Sequence, residues 1–387
     1  MTRAADTPRI TLNGGSIKQL TFISIALLAA ACDGKGAPTA VEPSTEVAGR
    51  ATVVHAGESI QAAIDAAAPG GVIRIEPGTY QEALTIHTPG LRLVGQGGES
   101  SPGVVIQNPG GVDDGVTVTA GSNGFVLDNV TIRGFIDNGI LITGVDGFRL
   151  SRITAIGNGE YGLFPVFSSH GLIERCTVTG HTDAGIYVGQ STDIEVRRST
   201  AHGNVLGIEI ENSTRVGVLD NESYDNVVGV MVVLLPGLTV KTSDGVVVRR
   251  NRVHDNNRVN FGTPGELESF VPTGSGILVV GVDRATIDDN VVTGNQFVGV
   301  GLGSSLILGA LAGLPASAFD DIEPNPDGVR VTGNRATGNG GISSIPFLPA
   351  VDLLWDGSGS DNCWLSNRFD TSVPDPLPAC PRDGSGK

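Results

Sequence analysis

A glycine followed by an aliphatic residue recurs along the chain at steps of 22 to 24 residues, interrupted once by a step of 47. Eight glycines set this register: Gly115, Gly139, Gly162, Gly185, Gly207, Gly229, Gly276 and Gly299. The next position is always aliphatic: Val116, Ile140, Leu163, Ile186, Ile208, Val230, Ile277 and Val300. A fixed period of this kind is typical of stacked repeats, in which equivalent residues lie one above another.

A second apolar column lies eleven positions after the glycine, formed by Val126, Leu150, Ile173, Val196, Val218 and Ile287. A propeller blade needs roughly 40 residues, and a leucine-rich repeat needs a comb of leucines. We therefore predict an all-β fold: a single-stranded right-handed parallel β-helix, a pectin lyase-like solenoid whose coils stack about 4.8 Å apart. Glycine is expected where the chain turns sharply into a strand, because a side chain there would be strained.

Polar residues form two further columns, fourteen and nineteen positions after the glycine. The first contains Asn129, Ile153, Cys176, Ser199, Asn221 and Asn290, so it is polar with one apolar exception, and the second contains Asn158, His181, Asn204, Asn226 and Asn295. Asparagine tolerates left-handed turns, and its amide group can hydrogen-bond to the equivalent amide one coil away. We expect both columns to lie at the turns between strands.

The segments on either side of the repeats predict caps. Ile60, Ala63, Ile64 and Ala67 lie on one face of a helix with Ser59 as its N-cap, and this helix should close the N-terminal end. We assign the cap and first coils to residues 51–114 and the repeats to 115–345, with insertions at 233–245, 257–275 and 303–328. Residues 346–387 are predicted to be a C-terminal cap and tail, with a disulfide between Cys363 and Cys380.

The N-terminus indicates export. Residues 1–31 combine basic residues with an apolar run too short to span a membrane, and "LLAAAC" resembles a lipobox that would make Cys32 the lipidated first residue. A plain signal peptide is the alternative. Residues 32–50 would then tether the domain to the bacterial cell envelope, with the lipid as its only membrane contact.

The net charge of the chain limits the classes of molecule that it can bind. The chain has a net charge of −16, and removing residues 1–31 would leave −18, since that segment holds three basic residues and one acidic residue. Such acidity disfavours binding to nucleic acid or to anionic lipid.

Two positions after the glycine, a column of unusually apolar residues is predicted to face outward: Thr117, Leu141, Phe164, Tyr187, Glu209, Met231 and Leu278. Sugar rings stack on such faces, so we expect ligand contacts from Phe164, Tyr187, Glu209 and Met231. Two alternatives stay open. The insertions, which contain leucine, valine and phenylalanine, could cover this column, and Glu209 could simply carry a solvated charge.

Two positions before the glycine, acidic residues follow one another on four coils: Asp113, Asp137, Glu160 and Asp183. Carboxylates roughly 5 Å apart repel, so either a cation lies between them or their pKa values rise. Asp137, Glu160 and Asp183 would suit calcium. Raised pKa values would instead suit acid and base catalysis by Tyr161, His181, Asp183 and Glu209. Aspartate also favours turns without any function, and His181 could replace an asparagine in its column.

The stretch from "GEYGLFPV" through "DAGIYVGQS" to "GIEIENS", together with "LLPGL", "RVHDNN" and "DNCW", resembles a family of bacterial exported parallel β-helix repeat proteins over roughly residues 52–380. That resemblance implies secretion or lipidation and a second exported protein as partner, but no established activity. More distantly, the cap helix followed by "GTYQE" is similar to pectin methylesterases, pectate lyases and alginate epimerases.

These observations predict that the protein binds an extended ligand, a polysaccharide, along one strand wall. The first alternative is a lyase or C5-epimerase acting on a uronate polymer. The second is a scaffold for an exported partner protein.

Overall fold

The computed structural model describes residues 10–12, 15–17, 51–98 and 103–381. Within the segment predicted to be a signal peptide, only strands Ile10–Leu12 and Gly15–Ile17 are described, and they pair with each other antiparallel. Cys32 and the tether lie outside the described residues, so the signal peptide and the lipid anchor stay predictions. No helix within the described ranges has the length and apolarity needed to cross a bilayer.

The domain is a parallel β-helix with three strands in each coil, which confirms the predicted fold. Sheet A has twelve strands: Thr52–Val54, Val72–Ile75, Arg92–Gly95, Phe125–Asp128, Asp146–Ser151, Ser169–Glu174, Glu195–Arg197, Gly217–Leu219, Val247–Arg249, Thr286–Asp288, Arg330–Thr332 and Cys363–Leu365. Sheet B has ten: Gly78–Tyr80, Val104–Gln107, Thr131–Arg133, Thr154–Ile156, Thr177–Thr179, Thr200–His202, Glu222–Tyr224, Arg252–His254, Val291–Thr293 and Arg335–Thr337. Sheet C has eleven: Leu84–Ile86, Asp114–Val118, Asn138–Thr143, Tyr161–Val166, Ala184–Gly189, Leu206–Glu211, Val228–Val233, Ser275–Val280, Val298–Gly303, Val351–Trp355 and Ser372–Val373.

The aliphatic column after each glycine lies in the interior, in the predicted register. Ile140 pairs with Leu163, Leu163 with Ile186, and Ile186 with Ile208 on successive strands of sheet C. All four side chains are 0% exposed. Burying each such side chain stabilises the fold by roughly 1.5–3 kcal/mol before the entropy of ordering is counted.

The second apolar column is confirmed except at its first residue. Leu150, Ile173 and Val196 are buried as expected, but Val126 points outward and Leu127 takes the inward place, opposite Leu150. The coil that begins at Gly115 is one residue longer than the next, and that residue is added before sheet A. Since side chains alternate along a strand, one extra residue exchanges the inward and outward faces.

Contact between coils, rather than backbone conformation, explains the glycine column. A Cβ atom on Gly139 would lie 2.5 Å from the carbonyl oxygen of Gly162, and one on Gly276 would lie 2.5 Å from that of Gly299. The glycines in this column do not have the positive φ angles that other glycines of the chain adopt. Our expectation of a strained turn was therefore wrong: a side chain has no room there because the next coil already occupies the space.

Where asparagines occupy them, the two polar columns form ladders of buried amide groups. In the first, the backbone N–H of Asn221 and its Nδ2 both donate to Oδ1 of Asn251, at 2.9 and 3.0 Å, and Asn251 does the same to Asn290. The predicted bonding between coils is confirmed for the asparagines of the ladder, but the left-handed conformation belongs to the preceding residue, for example Arg250 with φ of 54°. Asn129 is corrected: the longer coil moves it one place, so it has the left-handed φ of 58° itself and its Nδ2 donates to the carbonyl groups of Gly95 and Gly97. Each buried amide thus finds partners in the coils on both sides.

Both ends of the solenoid are closed. Helix α1, Ile60–Asp65, begins at Ser59, whose hydroxyl accepts from the N–H of Ala62, and it buries Ile60 and Ile64 as predicted. At the other end the coils continue past residue 345, since Val351–Trp355 and Cys363–Leu365 still pair in sheets C and A. The predicted disulfide joins Cys363 to Cys380, with the Cα atoms 4.6 Å apart.

Replacing Gly276 with alanine should lower the free energy of unfolding by about 2 kcal/mol or more, because the new methyl group meets the backbone of the next coil. Urea unfolding followed by circular dichroism measures the change. Gly217→Ala is the matched control, since a Cβ atom there makes only ordinary contacts, the closest at 3.4 Å to Leu219. Equal stability of the two variants would contradict the close-contact explanation.

Candidate functional site

The outward apolar column on sheet C is not a solvent-exposed wall. Phe164, Tyr187 and Met231 are 9%, 5% and 2% exposed and belong to a second hydrophobic cluster, separate from the interior of the solenoid. Four insertions cover it, at residues 234–246, 255–274, 304–329 and 338–350. The third insertion includes helix α2 (Ser305–Leu311) and the 3₁₀ helix Ala316–Phe319. The prediction of an open ligand-binding wall is wrong, because packing these side chains against the insertions removes them from water. Met231 in particular is not available to a ligand.

The insertion cover ends where the outer face of sheet C changes from apolar to acidic. In the column two positions before the glycine, Val205 and Val227 are fully buried, whereas Glu160 and Asp183 on the preceding coils are partly exposed. The 3₁₀ helix Leu267–Phe270, within the insertion 255–274, brings Glu268 to this boundary. Asp183, Glu209, Glu211 and Glu268, with Tyr161 and Tyr187, constitute what we call the acidic site.

Three aromatic rings form one wall of the acidic site. The rings of Tyr161 and Phe164 stack with their centroids 4.3 Å apart and an angle of 7° between planes. Tyr187 meets the edge of Tyr161 at 5.2 Å and the ring of Phe164 at 4.5 Å. Contacts of this kind hold the two phenol groups in fixed positions.

Each phenol hydroxyl donates to a carboxyl group of the site. The Tyr161 hydroxyl donates to Oδ2 of Asp183 at 2.5 Å, and the Tyr187 hydroxyl donates to Oε1 of Glu211 at 2.6 Å. Tyr187 reaches Glu211 because its ring lies over Gly189, where a Cβ atom would collide with it. Gly189 is also the residue paired with Glu211 on the next strand, so the local sequence Tyr-Val-Gly fixes this hydrogen bond.

Burial and mutual repulsion keep protons on these carboxyl groups. Burial is the main cause that raises the pKa values of Asp183 and Glu209 well above the usual range, and the charge of Glu268 adds to both shifts. Burial also raises the pKa values of Glu211 and Glu268 to about 7. Near neutral pH the site therefore contains both protonated and ionised carboxyl groups, which is the condition for accepting and donating protons.

The acidic site has more hydrogen-bond acceptors than partners. The Glu209 side chain is 6% exposed, and its carboxyl oxygens accept no hydrogen bond from the residues that the structure describes, although they are not closed off from water. The Oδ1 atoms of Asp183 and Asn138, by contrast, are buried without a partner among those residues. Buried polar groups are nearly always hydrogen-bonded, so an unpartnered carboxyl group at a partly exposed site suggests a place for a ligand.

His181 is not part of the acidic site, which corrects its assignment as a proton carrier. It lies in the interior at 0% exposure, in the second amide ladder, where Nδ1 donates to Oδ1 of Asn204 at 2.8 Å and Nε2 accepts from Asn158 at 3.4 Å. Burial lowers the pKa of His181 to about 4, so the ring is neutral. The alternative, in which histidine replaces an asparagine of the ladder, is the one observed.

The acidic column does not form the expected calcium site. Across residues 51–98 and 103–381, no group of three or more His, Cys, Asp or Glu side chains is arranged to hold a metal ion. Asp183 instead accepts from Tyr161 and faces Glu268 of the insertion, while the backbone carbonyl of Asp137 accepts from the N–H groups of Glu160 and Tyr161. The prediction that Asp137, Glu160 and Asp183 bind calcium together is thus corrected.

Two residues of the acidic site were missing from the predicted set. Glu211 could have been found, because it lies two positions after Glu209 and therefore shares its face of the strand. Glu268 could not have been found by register, since it belongs to an insertion outside the repeat period. Phe164 and Tyr187 contact each other and Tyr187 lies opposite Glu209 on the next strand, as their shared column predicts, but both aromatic rings lie beneath the cover.

The chain has the architecture of the β-helix class of proteins. Three parallel sheets surround an apolar interior, and a side-chain cluster lies on the outside of one of them. A family model described as "Right handed beta helix region" matches residues 103–235 and 138–307, and the chain belongs to this family. A search of curated proteins found no match.

Solved structures with this fold include carbohydrate-active enzymes. The A-module of mannuronan C-5 epimerase AlgE6 from Azotobacter vinelandii is 18% identical, with 84% of this chain and 95% of that chain covered and a TM-score of 0.53. A point mutant of the periplasmic alginate epimerase AlgG is 15% identical, with 81% of this chain and 83% of that chain covered and a TM-score of 0.50. At these identities the likeness shows the fold.

The raised pKa of Glu211 makes stability depend on pH in a testable direction. Its folded value of about 7 exceeds the ordinary 4.5, so folding is progressively disfavoured as pH rises from about 4.5 through 7. Glu211→Gln removes this penalty and should gain about 1–3 kcal/mol more stability over the parent at pH 8 than at pH 4. Urea unfolding at both pH values measures the difference.

Glu323→Gln, an exposed position, serves as the control and should show the same difference from the parent at both pH values. The low pKa of His181 also makes the free energy of unfolding depend on pH, but equally in the parent and the variants, so it cancels when they are compared at the same pH. A Glu211→Gln effect independent of pH would show that folding does not change the pKa of this carboxyl group.

Proposed function

We propose that the protein binds a glycan at the acidic site, on the outer face of sheet C beside the insertion cover. The observation that carries this proposal is the buried Oδ1 atom of Asp183, which has no hydrogen-bond partner among the described residues, while tyrosine hydroxyls hold the Asp183 and Glu211 carboxyl groups in place. A buried acid costs stability unless it is paired, and residues that reduce stability in this way are typical of functional sites.

A sugar supplies what the site lacks. Its hydroxyl groups can donate to Glu209 and to the free Oδ1 of Asp183, and they can accept from those carboxyl groups that retain a proton. The partly exposed ring of Tyr161 offers an apolar surface beside these groups. The names of the two epimerases place carbohydrate chemistry on similar solenoids, which makes a glycan a reasonable class of ligand.

An enzyme is the second candidate, because the site contains the elements of acid and base catalysis. Tyr161 and Asp183 are joined by a 2.5 Å hydrogen bond, and the pKa of each is raised, mainly by burial. A proton could pass between a bound sugar and this pair, as a lyase or epimerase reaction on a uronate requires. Glu209 would accept a hydrogen bond from the substrate, and His181 would have no role.

The setting of this activity is also a proposal. Export through residues 1–31 and lipidation of Cys32 would place the solenoid in the bacterial envelope, where glycans are abundant. An exported partner protein would have to contact the outer surface of the insertions, because the apolar column beneath them is buried.

Glu209→Met separates a binding role from a structural one. The neighbours in the same column are Tyr187 and Met231, so methionine should pack well and raise the free energy of unfolding by about 1 kcal/mol or more. We expect glycan binding, measured on an array of neutral, amino and uronate oligosaccharides, to fall at least tenfold.

Thr286→Met, on the outer face of sheet A, is the control and should leave glycan binding unchanged. Loss of stability together with retained binding in Glu209→Met would give Glu209 a structural role and contradict the proposal.

The enzyme candidate predicts a product. Incubation with uronate polymers should yield either an unsaturated sugar that absorbs in the ultraviolet or an epimerised residue visible by NMR, and Tyr161→Phe should abolish it. Thr286→Met, the control variant of the glycan-binding experiment, should keep full activity. Absence of both products across a broad panel of uronate polymers would eliminate this candidate.

A further inference from the structure

We infer that the glycan accepted at the acidic site carries free amino groups, and that an ammonium group donates hydrogen bonds to Glu209 and to the unpartnered Oδ1 atom of Asp183. This inference rests on the proposed function and names the class of sugar. It depends on the balance of charge and of hydrogen-bond donors at the site.

The four carboxyl groups lack a positive partner. In the part of the chain that the structure describes, none of them forms an ion pair with lysine, arginine or histidine. Elsewhere the same chain pairs its acids closely: Glu174 contacts Arg197 at 2.9 Å and Asp220 contacts Arg250 at 2.7 Å. The acidic site therefore differs from the ion pairs elsewhere on the solenoid surface in having no cationic side chain beside its carboxyl groups.

Donors are also scarce at the site. The Tyr161 and Tyr187 hydroxyls each supply one hydrogen bond, and Glu268 accepts the N–H of Thr263 at 3.2 Å. No described residue donates to the Glu209 side chain, and Asp183 keeps one buried oxygen without a partner. An ammonium group has three donors and no acceptor, which matches this deficit better than a hydroxyl group does.

A uronate is a poor match for the same reason. Its carboxylate would add an acceptor and a negative charge to a cluster whose members already raise one another's pKa values by repulsion. The net charge of −16 also repels a polyanion and attracts a polycation over distances of about one Debye length, roughly 8–10 Å at physiological salt.

Isothermal titration calorimetry with three oligosaccharides of equal length tests the inference: one of glucosamine, one of N-acetylglucosamine and one of a uronate. The glucosamine oligomer should bind the parent protein at least tenfold more tightly than its acetylated counterpart. The double variant Glu209→Gln/Glu211→Gln should lose that preference, because two carboxyl groups of the acidic site, which can ionise beside an ammonium group, become amides, which cannot.

A matched double variant, Glu58→Gln/Glu323→Gln, removes the same number of carboxyl groups at exposed positions and should keep the preference. Retention of tight glucosamine binding by Glu209→Gln/Glu211→Gln would show general attraction to an acidic protein and overturn the inference. The acetylated or uronate oligomer could instead bind the parent protein as tightly as the glucosamine oligomer, or more tightly. If Glu209→Met abolished that binding, the inference would be overturned and the proposed function would stand. Absence of binding to all three oligomers and to the glycan array would overturn both.

Discussion

The close approach of successive coils at the glycine column is the constraint on which the rest of the structure depends. Each of these glycines faces a backbone carbonyl group one coil away, that of the next glycine in the column or, for Gly299, that of Asp352, at a distance that leaves no space for a methyl group. Strands can then hydrogen-bond in strict parallel register, and equivalent side chains form continuous columns. The apolar interior and the two amide ladders both follow from this register, because a shift of one residue would exchange the inward and outward faces.

The same register creates the acidic site and sets its energetics. Stacking brings Tyr161, Asp183, Tyr187 and Glu209, which are far apart in sequence, into contact or electrostatic interaction on neighbouring coils of sheet C. Four carboxyl groups in a largely buried position are unfavourable, and a long solenoid with an extensive core and ladders can tolerate them. The insertion cover contributes to both effects, since it buries the apolar column and carries Glu268 to the carboxyl groups of the strands.

Particular residues show how far sequence reasoning reached. Ile186 and Ile208 were placed correctly because their environment is set by the period alone. Phe164 and Met231 were placed on the correct face but predicted to be open, since periodicity gives the direction of a side chain and not what lies above it. His181 occupies the interior ladder because the imidazole ring can donate at one nitrogen and accept at the other, as an asparagine amide does.

The sequence by itself determined the solenoid, the spacing of its coils, the capping helix and the disulfide, because each of these depends on local patterns repeated or adjacent along the chain. Only the tertiary structure decided the site. The 3₁₀ helix that carries Glu268 lies in an insertion with no counterpart in the other coils, so no register predicts where it packs. Whether a carboxyl group is solvated or protonated depends on what covers it, and the cover is formed by segments that meet only after the chain has folded.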